Sequence, residues 1–188
     1  MRILALLGSP RAGGNTDTLA DEVLKGAEEA GAEVRAIALR RLELKPCIGC
    51  ERCWHDDRPC ILRDGMEGIY EAISKADVLL FVTPVYWYGP TTLLKTMLDR
   101  FVVFNRPQGR GLINGKPAAV VVAYEEEGPE AAEPLLRMFE LSFAYLGMPF
   151  VERVVVDGVG PKGAVLERPD ALSAAREMGK RLASLRSE

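Results

Sequence analysis

The sequence predicts an α/β protein, a three-layer sandwich in which helices cover both faces of an all-parallel five-stranded sheet, in one domain spanning residues 1–188. Three observations predict it. Nearly unbroken apolar runs recur along the chain, as strands buried on both faces require. Segments of helical periodicity alternate with them, which is the pattern of βαβ units. A Gly- and Ser/Thr-rich stretch joins the first apolar run to the first helix.

Met1–Leu7 is the opening strand. Leu19, Val23 and Ala27, with Ala20, Leu24 and Ala30, then recur at helical spacing until Gly31 stops the helix. Glu33–Leu39 reads as a strand, and Arg40–Gly65 as a long irregular connection that holds every cysteine. Met66–Lys75 is a short helix, and Asp77–Thr83 a nearly continuous apolar strand. Leu94, Met97, Leu98, Phe101 and Val102 mark the next helix face, with Lys95 and Asp99 paired outside it. Pro117–Tyr124 is the fourth strand. A helix follows with Pro129 at its start, a stripe of Leu136, Phe139, Phe143 and Leu146, and Gly147 at its end. Phe150–Val156 is the fifth strand. Pro169–Arg186 closes the chain as a helix with Leu172, Ala175, Gly179, Leu182 and Leu185 facing inward. The strand order 2-1-3-4-5, flavodoxin-like, is expected, and it places ligands beyond the carboxyl ends of the strands.

The stretch Gly8–Thr16 has the makings of a phosphate site. A strand feeding a Gly-rich turn at a helix start leaves several backbone N–H groups unpaired, and the helix dipole adds positive potential. The hydroxyls of Ser9 and Thr16 and the Asn15 amide can donate to phosphate oxygens, and Arg11 can add full charge. A P-loop beginning at Gly8 would need Lys at position 14 and Ser or Thr at 15, where the chain has Gly14 and Asn15. The dinucleotide fingerprint would need Gly at position 10, where Pro10 stands. What remains suits one phosphate monoester. The loops after strands one, three and four meet at the crevice. The middle one, Pro84–Thr92, carries Tyr86, Trp87 and Tyr88 and no charge, so it can flank a planar heterocycle or make a subunit contact. A phosphate cradle beside an uncharged aromatic slot describes flavin mononucleotide, FMN.

Composition narrows the classes further. With net charge −3 and pI near 5.4, the chain gives no electrostatic case for nucleic acid or an anionic membrane. No apolar run approaches the roughly 18 residues of a membrane span. A cytoplasmic protein is expected, with its four cysteines as thiols or metal ligands.

Gly8-Ser-Pro-Arg-x-Gly-Gly-Asn-Thr16, Pro84-Val-Tyr-Trp87 and Leu94-Lys-x-x-x-Asp-Arg100 resemble the NADPH-dependent FMN reductase family, nearest its iron–sulfur flavoprotein branch. The resemblance covers about two-thirds of the chain, from Arg2 to Tyr124. It implies that Ser9, Arg11, Asn15 and Thr16 hold the FMN phosphate, that Pro84, Val85, Tyr86, Trp87 and Gly89 line the isoalloxazine, and that the protein is a homodimer or homotetramer. The activity it implies is transfer of electrons from NAD(P)H through bound FMN to a small-molecule acceptor such as a flavin or quinone. No side chain is assigned as a catalytic acid or base, because the flavin carries the chemistry. Glu125-Glu126-Glu127 departs from the family's Gly-rich third loop, so that loop either points away or weakens nicotinamide binding.

Cys47, Cys50 and Cys53 form a Cys-x2-Cys-x2-Cys run, and Cys60 follows after six intervening residues. Ferredoxin runs use the same compact repeat, and the iron–sulfur flavoprotein pattern implies Cys60 as fourth ligand of a four-iron four-sulfur cluster. That is the alternative reading, an electron carrier. Zinc fits less well, because its modules set two ligand pairs apart. Related reductases without a cluster share a similar loop whose thiols pack or line the pocket, with an Asp-Gly-Met turn after it, here Asp64–Met66. His55 reads as a solvated loop residue.

Overall fold

The computed structural model describes residues 1–55 and 60–185. Strands β1 (Arg2–Leu7), β2 (Glu33–Ala38), β3 (Val78–Pro84), β4 (Ala118–Ala123) and β5 (Phe150–Val156) form one parallel sheet in the order β2-β1-β3-β4-β5, as predicted. Leu6 lies between Ile37 and Phe81, and Val121 between Val82 and Val154.

Strand alternation sorts the core into two layers. Leu4, Leu6, Leu79, Phe81, Val120 and Val122 pack under α3 (Met66–Lys75), α4 (Thr92–Asp99) and α7 (Glu133–Leu146). There the Phe81 ring meets Phe143 at 5.0 Å and Phe139 at 5.9 Å. Ile3, Ala5, Leu80, Val82, Ala119 and Val121 pack under α1 (Asn15–Glu29) and α8 (Pro169–Ala183). Those two helices touch backbone to backbone through a reciprocal pair of glycines. A Cβ on Gly26 would lie 2.0 Å from the Arg176 carbonyl oxygen, and one on Gly179 would lie 1.9 Å from that of Val23.

The structure departs from the sequence reading in local ways. Ala30 is exposed, because α1 turns Gly26 rather than Ala30 toward α8. The predicted irregular stretch contains a 3-10 turn, Leu39–Arg41, and a short helix, α2 (Arg52–His55), which buries Cys53 and leaves His55 exposed. The helix after β3 breaks at Arg100, whose side chain turns into the core, and resumes as α5 (Val102–Asn105) and α6 (Pro107–Arg110). Pro129 opens a 3-10 turn, and α7 starts at Glu133 with Leu135 in place of Leu136 on the fully buried stripe. α8 ends at Ala183, with Ala171 and Met178 inside and Leu172 and Leu185 only half-buried. The predicted end of that helix at Arg186 lies outside the described residues.

Candidate functional site

The loop after β1 is stitched to the loop after β3 before either meets a ligand. The Gly8 N–H donates to the Val82 carbonyl at 2.7 Å, one residue beyond the strand. The Thr91 hydroxyl donates to the Gly8 carbonyl at 2.6 Å and accepts from the Leu94 N–H at 3.2 Å, which caps α4. Ser9 is buried, and its hydroxyl accepts from the Arg11 N–H at 3.1 Å and donates to the Arg11 carbonyl at 3.3 Å. Gly13 takes the left-handed conformation, φ +62°, and its N–H donates to Asp17 at 2.9 Å. Asp17 would repel an anion here, but Arg40 neutralises it with an ion pair of 2.9 Å and also donates to the Ser9 carbonyl at 3.3 Å.

This bracing leaves a set of donors free. Among the described residues, the N–H groups of Asn15, Thr16 and Asp17 at the start of α1 have no protein acceptor, nor does the Thr16 hydroxyl. Of these residues Asn15 and Thr16 line a cleft of about 180 Å³ at the carboxyl edge of the sheet. Ser9, Arg11, Asn15, Thr16, Pro84, Val85 and Tyr86 all line it, so the structure gathers seven of the nine residues singled out from the sequence for the cofactor. Trp87 and Gly89 lie outside the lining. Gly89 instead closes a two-residue turn with Tyr86, with N–H to carbonyl distances of 2.9 and 3.0 Å. Trp87 and Tyr88, at its centre, adopt φ of +50° and +62°, and Trp87 is 96% exposed.

The Asn15 amide is already occupied. Its Nδ2 donates to the carbonyls of Val159 (2.6 Å) and Pro161 (2.9 Å), and its Oδ1 accepts from the N–H groups of Gly163 (2.9 Å) and Val165 (3.3 Å). At the cleft Asn15 therefore offers its backbone N–H, and its side chain ties down the loop after β5. That loop escaped the sequence reading, although the carboxyl-edge rule applies to it as to the others. It brings Val159, Gly160 and Lys162 into the cleft, and Arg11 donates to the Gly160 carbonyl at 3.3 Å. The acidic loop does not point away: Glu125 and Glu126 line the cleft and Glu127 does not. Tyr124 in the same wall has its pKa raised by burial, then by the nearby carboxylates of Asp157, Glu130 and Glu126.

A second cavity, of about 80 Å³, is lined by all four cysteines together with Ile61, Leu62, Val102, Val103 and Arg100. Burial pushes the Cys53 thiol up from its ordinary pKa, and the neighbouring sulfurs of Cys60, Cys47 and Cys50 push it the same way. Among the described residues no three His, Cys, Asp or Glu groups gather about one ion position. Arg100 holds this loop shut. It is ion-paired to Asp64 and donates to the carbonyls of Lys45 (3.2 Å) and Leu62 (3.3 Å), on either side of the cysteines. Burial works against the Asp64 charge, yet the Lys45 N–H, the Arg100 guanidinium and the Met66 N–H hold its pKa below the usual carboxylate value. The Asp64-Gly-Met and Asp-Arg100 motifs were legible, but nothing in the letters joined them.

Fold and cleft together define a flavodoxin-like α/β protein with an anion-receptive loop at the carboxyl edge of its sheet. The sequence model of the NADPH-dependent FMN reductase family matches residues 1–160, and the chain belongs to that family of flavoprotein oxidoreductases. It is 31% identical over 185 residues to YwqN of Bacillus subtilis, provisionally named an NAD(P)H-dependent FMN-containing oxidoreductase, covering 96% of this chain and 98% of that one. It is also 31% identical over 201 residues to the iron–sulfur flavoprotein MJ1083 of Methanocaldococcus jannaschii, covering 98% and 97% of the two chains. The fold matches the NAD(P)H:quinone oxidoreductase of Methanothermobacter marburgensis with a TM-score of 0.76 and 21% identity, over 100% of this chain and 98% of that one.

Proposed function

We propose that this cleft binds FMN and that the enzyme draws hydride from NAD(P)H and passes electrons to a small acceptor such as a flavin or quinone. The observation that carries the reading is the pair of residues with unpaired donors, Asn15 and Thr16, that line the same cleft as Pro84–Tyr86. Those donors suit a phosphate monoester. Ser9 shapes the loop around it, while Arg11 and the helix dipole supply charge. Pro84, Val85 and Tyr86 provide an apolar wall for the ring, with Tyr124 beside them at the end of the neighbouring strand. FMN, when bound, supplies the hydride acceptor and the electron store. The related quinone and FMN oxidoreductases support this class of acceptor, and we place the protein in the cytoplasm as a homodimer or homotetramer without nucleic-acid or membrane partners. Among the described residues no helix is long and apolar enough to cross a membrane.

The test is spectral. Protein purified without oxygen, or given FMN, is expected to show bound-flavin bands near ~370 and ~450 nm that NADH or NADPH bleaches. Colourless protein that refuses FMN overturns the reading.

The second reading is an iron–sulfur flavoprotein electron carrier with a four-iron four-sulfur cluster on Cys47, Cys50, Cys53 and Cys60. One observation favours it: all four cysteines are among the residues that line a single, mostly apolar cavity. A zinc ion would need its ligands about 2.3 Å from one centre, whereas a cubane binds each thiolate through a different iron, so its ligand sulfurs stand further apart. Iron and acid-labile sulfide, with absorbance near ~400 nm, are expected if the loop holds a cluster. Metal-free protein with four titratable thiols would leave the cysteines as packing groups.

A further inference from the structure

We infer that Lys162, in the loop after β5, is a second cationic ligand of the phosphate group, held over the amino-terminal loop by the Asn15 amide. The inference rests on the FMN reading above and extends it to a part of the chain beyond the sequence resemblance.

The geometry is built in two steps. Asn15 is the first residue of α1, and its amide bonds Val159, Pro161, Gly163 and Val165, so the loop is fixed to the same helix end that offers the free N–H groups. Lys162 stands between two of these pinned residues. Its Nζ comes so close to the loop that a Cβ on Gly13 would lie 3.7 Å from it, and Lys162 lines the cleft. Four of the seven lysines, Lys25, Lys75, Lys95 and Lys180, pair with a carboxylate one helical turn away, and Lys116 donates to the Ile73 and Ala76 carbonyls. Lys162 has no carboxylate partner among the described residues. The one buried carboxylate at this end of the cleft, Asp17, is already matched by Arg40. That leaves Arg11 and Lys162 as the two cations available to a phosphate dianion, one from each loop.

The experiment compares FMN with riboflavin, which lacks the phosphate, by quenching of flavin fluorescence on titration with apoprotein. For Lys162→Ala, FMN affinity is expected to fall about tenfold while riboflavin affinity changes less than about twofold, and Lys162→Arg is expected to restore most of the FMN loss. FMN affinity unchanged in Lys162→Ala would overturn the inference. So would equal weakening of both flavins, which would mark a structural effect. Wild-type protein that binds neither flavin would instead overturn the FMN reading itself, and the lysine's role with it.

Discussion

Asp64 and Arg100 have side chains only 1% exposed, and two charges so far from water are tolerable only as a fully bonded pair. Removing one partner leaves the other buried and uncompensated. Asp64→Asn is therefore expected to cost roughly 3–5 kcal/mol of stability near neutral pH. The sign of the pH dependence follows from the depressed pKa of Asp64. Its contribution is complete above the unfolded carboxylate pKa of about 4 and is lost as the pH falls through the lower folded value. Urea unfolding of wild type and variant at pH 7 and again near pH 3 is expected to show the gap narrowing at the acid end. An equal gap at both would show that the ionised carboxylate is not its source. Asn15 shows how a residue can be placed correctly and still carry a different task. Its amide is a plausible donor from the letters alone, but its four bonds run to partners at least 144 positions away, which local sequence does not display.

At the scale of elements, the contact of α1 with α8 depends on the absence of two side chains. A methyl at Gly26 or Gly179 would sit about 2 Å from a carbonyl oxygen of the facing helix, so the helices would have to part. Gly26→Ala is expected to destabilise by about 1–3 kcal/mol despite the roughly 1 kcal/mol that alanine gains over glycine within a helix. Denaturant unfolding would read this, and a neutral or stabilising result would mean that the helices separate freely. The sheet was legible in sequence because burial on both faces writes nearly continuous apolar runs, such as Leu79–Val82 and Ala118–Ala123. Helix faces were less legible. Period alone gives a stripe to within about a residue, so it points to Leu136 where the structure buries Leu135, and to Ala30 where α1 turns Gly26 inward. The break at Arg100 was hidden for another reason: a charged residue inside a helical pattern reads as outward-facing until its buried partner is known.

Across the whole molecule, loops following β1, β3, β4 and β5 converge on one edge of the sheet and bring charges of both signs there. Arg11 and Lys162 line the cleft together with Glu125 and Glu126, and the Glu125 carboxyl lies against Gly160, the residue whose carbonyl accepts from Arg11. An anionic reduced flavin would feel those carboxylates as repulsion. Glu125→Gln with Glu126→Gln is expected to raise the two-electron midpoint potential by about 10–40 mV at low salt, on the scale of two exposed charges worth a few tenths to one kcal/mol each. Spectroelectrochemical titration would measure it, with the shift shrinking as salt is added. An unchanged potential would place the flavin ring away from those carboxylates. The turn at Tyr86–Gly89 adds a last consequence. Two bulky residues held left-handed at its centre carry a conformational penalty of about 1–3 kcal/mol each. Fold stability and an outward-facing indole are therefore in competition at this corner. A chain drifting toward Asn-Gly here would relax the backbone and strip both the Trp87 indole and the Tyr88 ring from the surface beside the cleft.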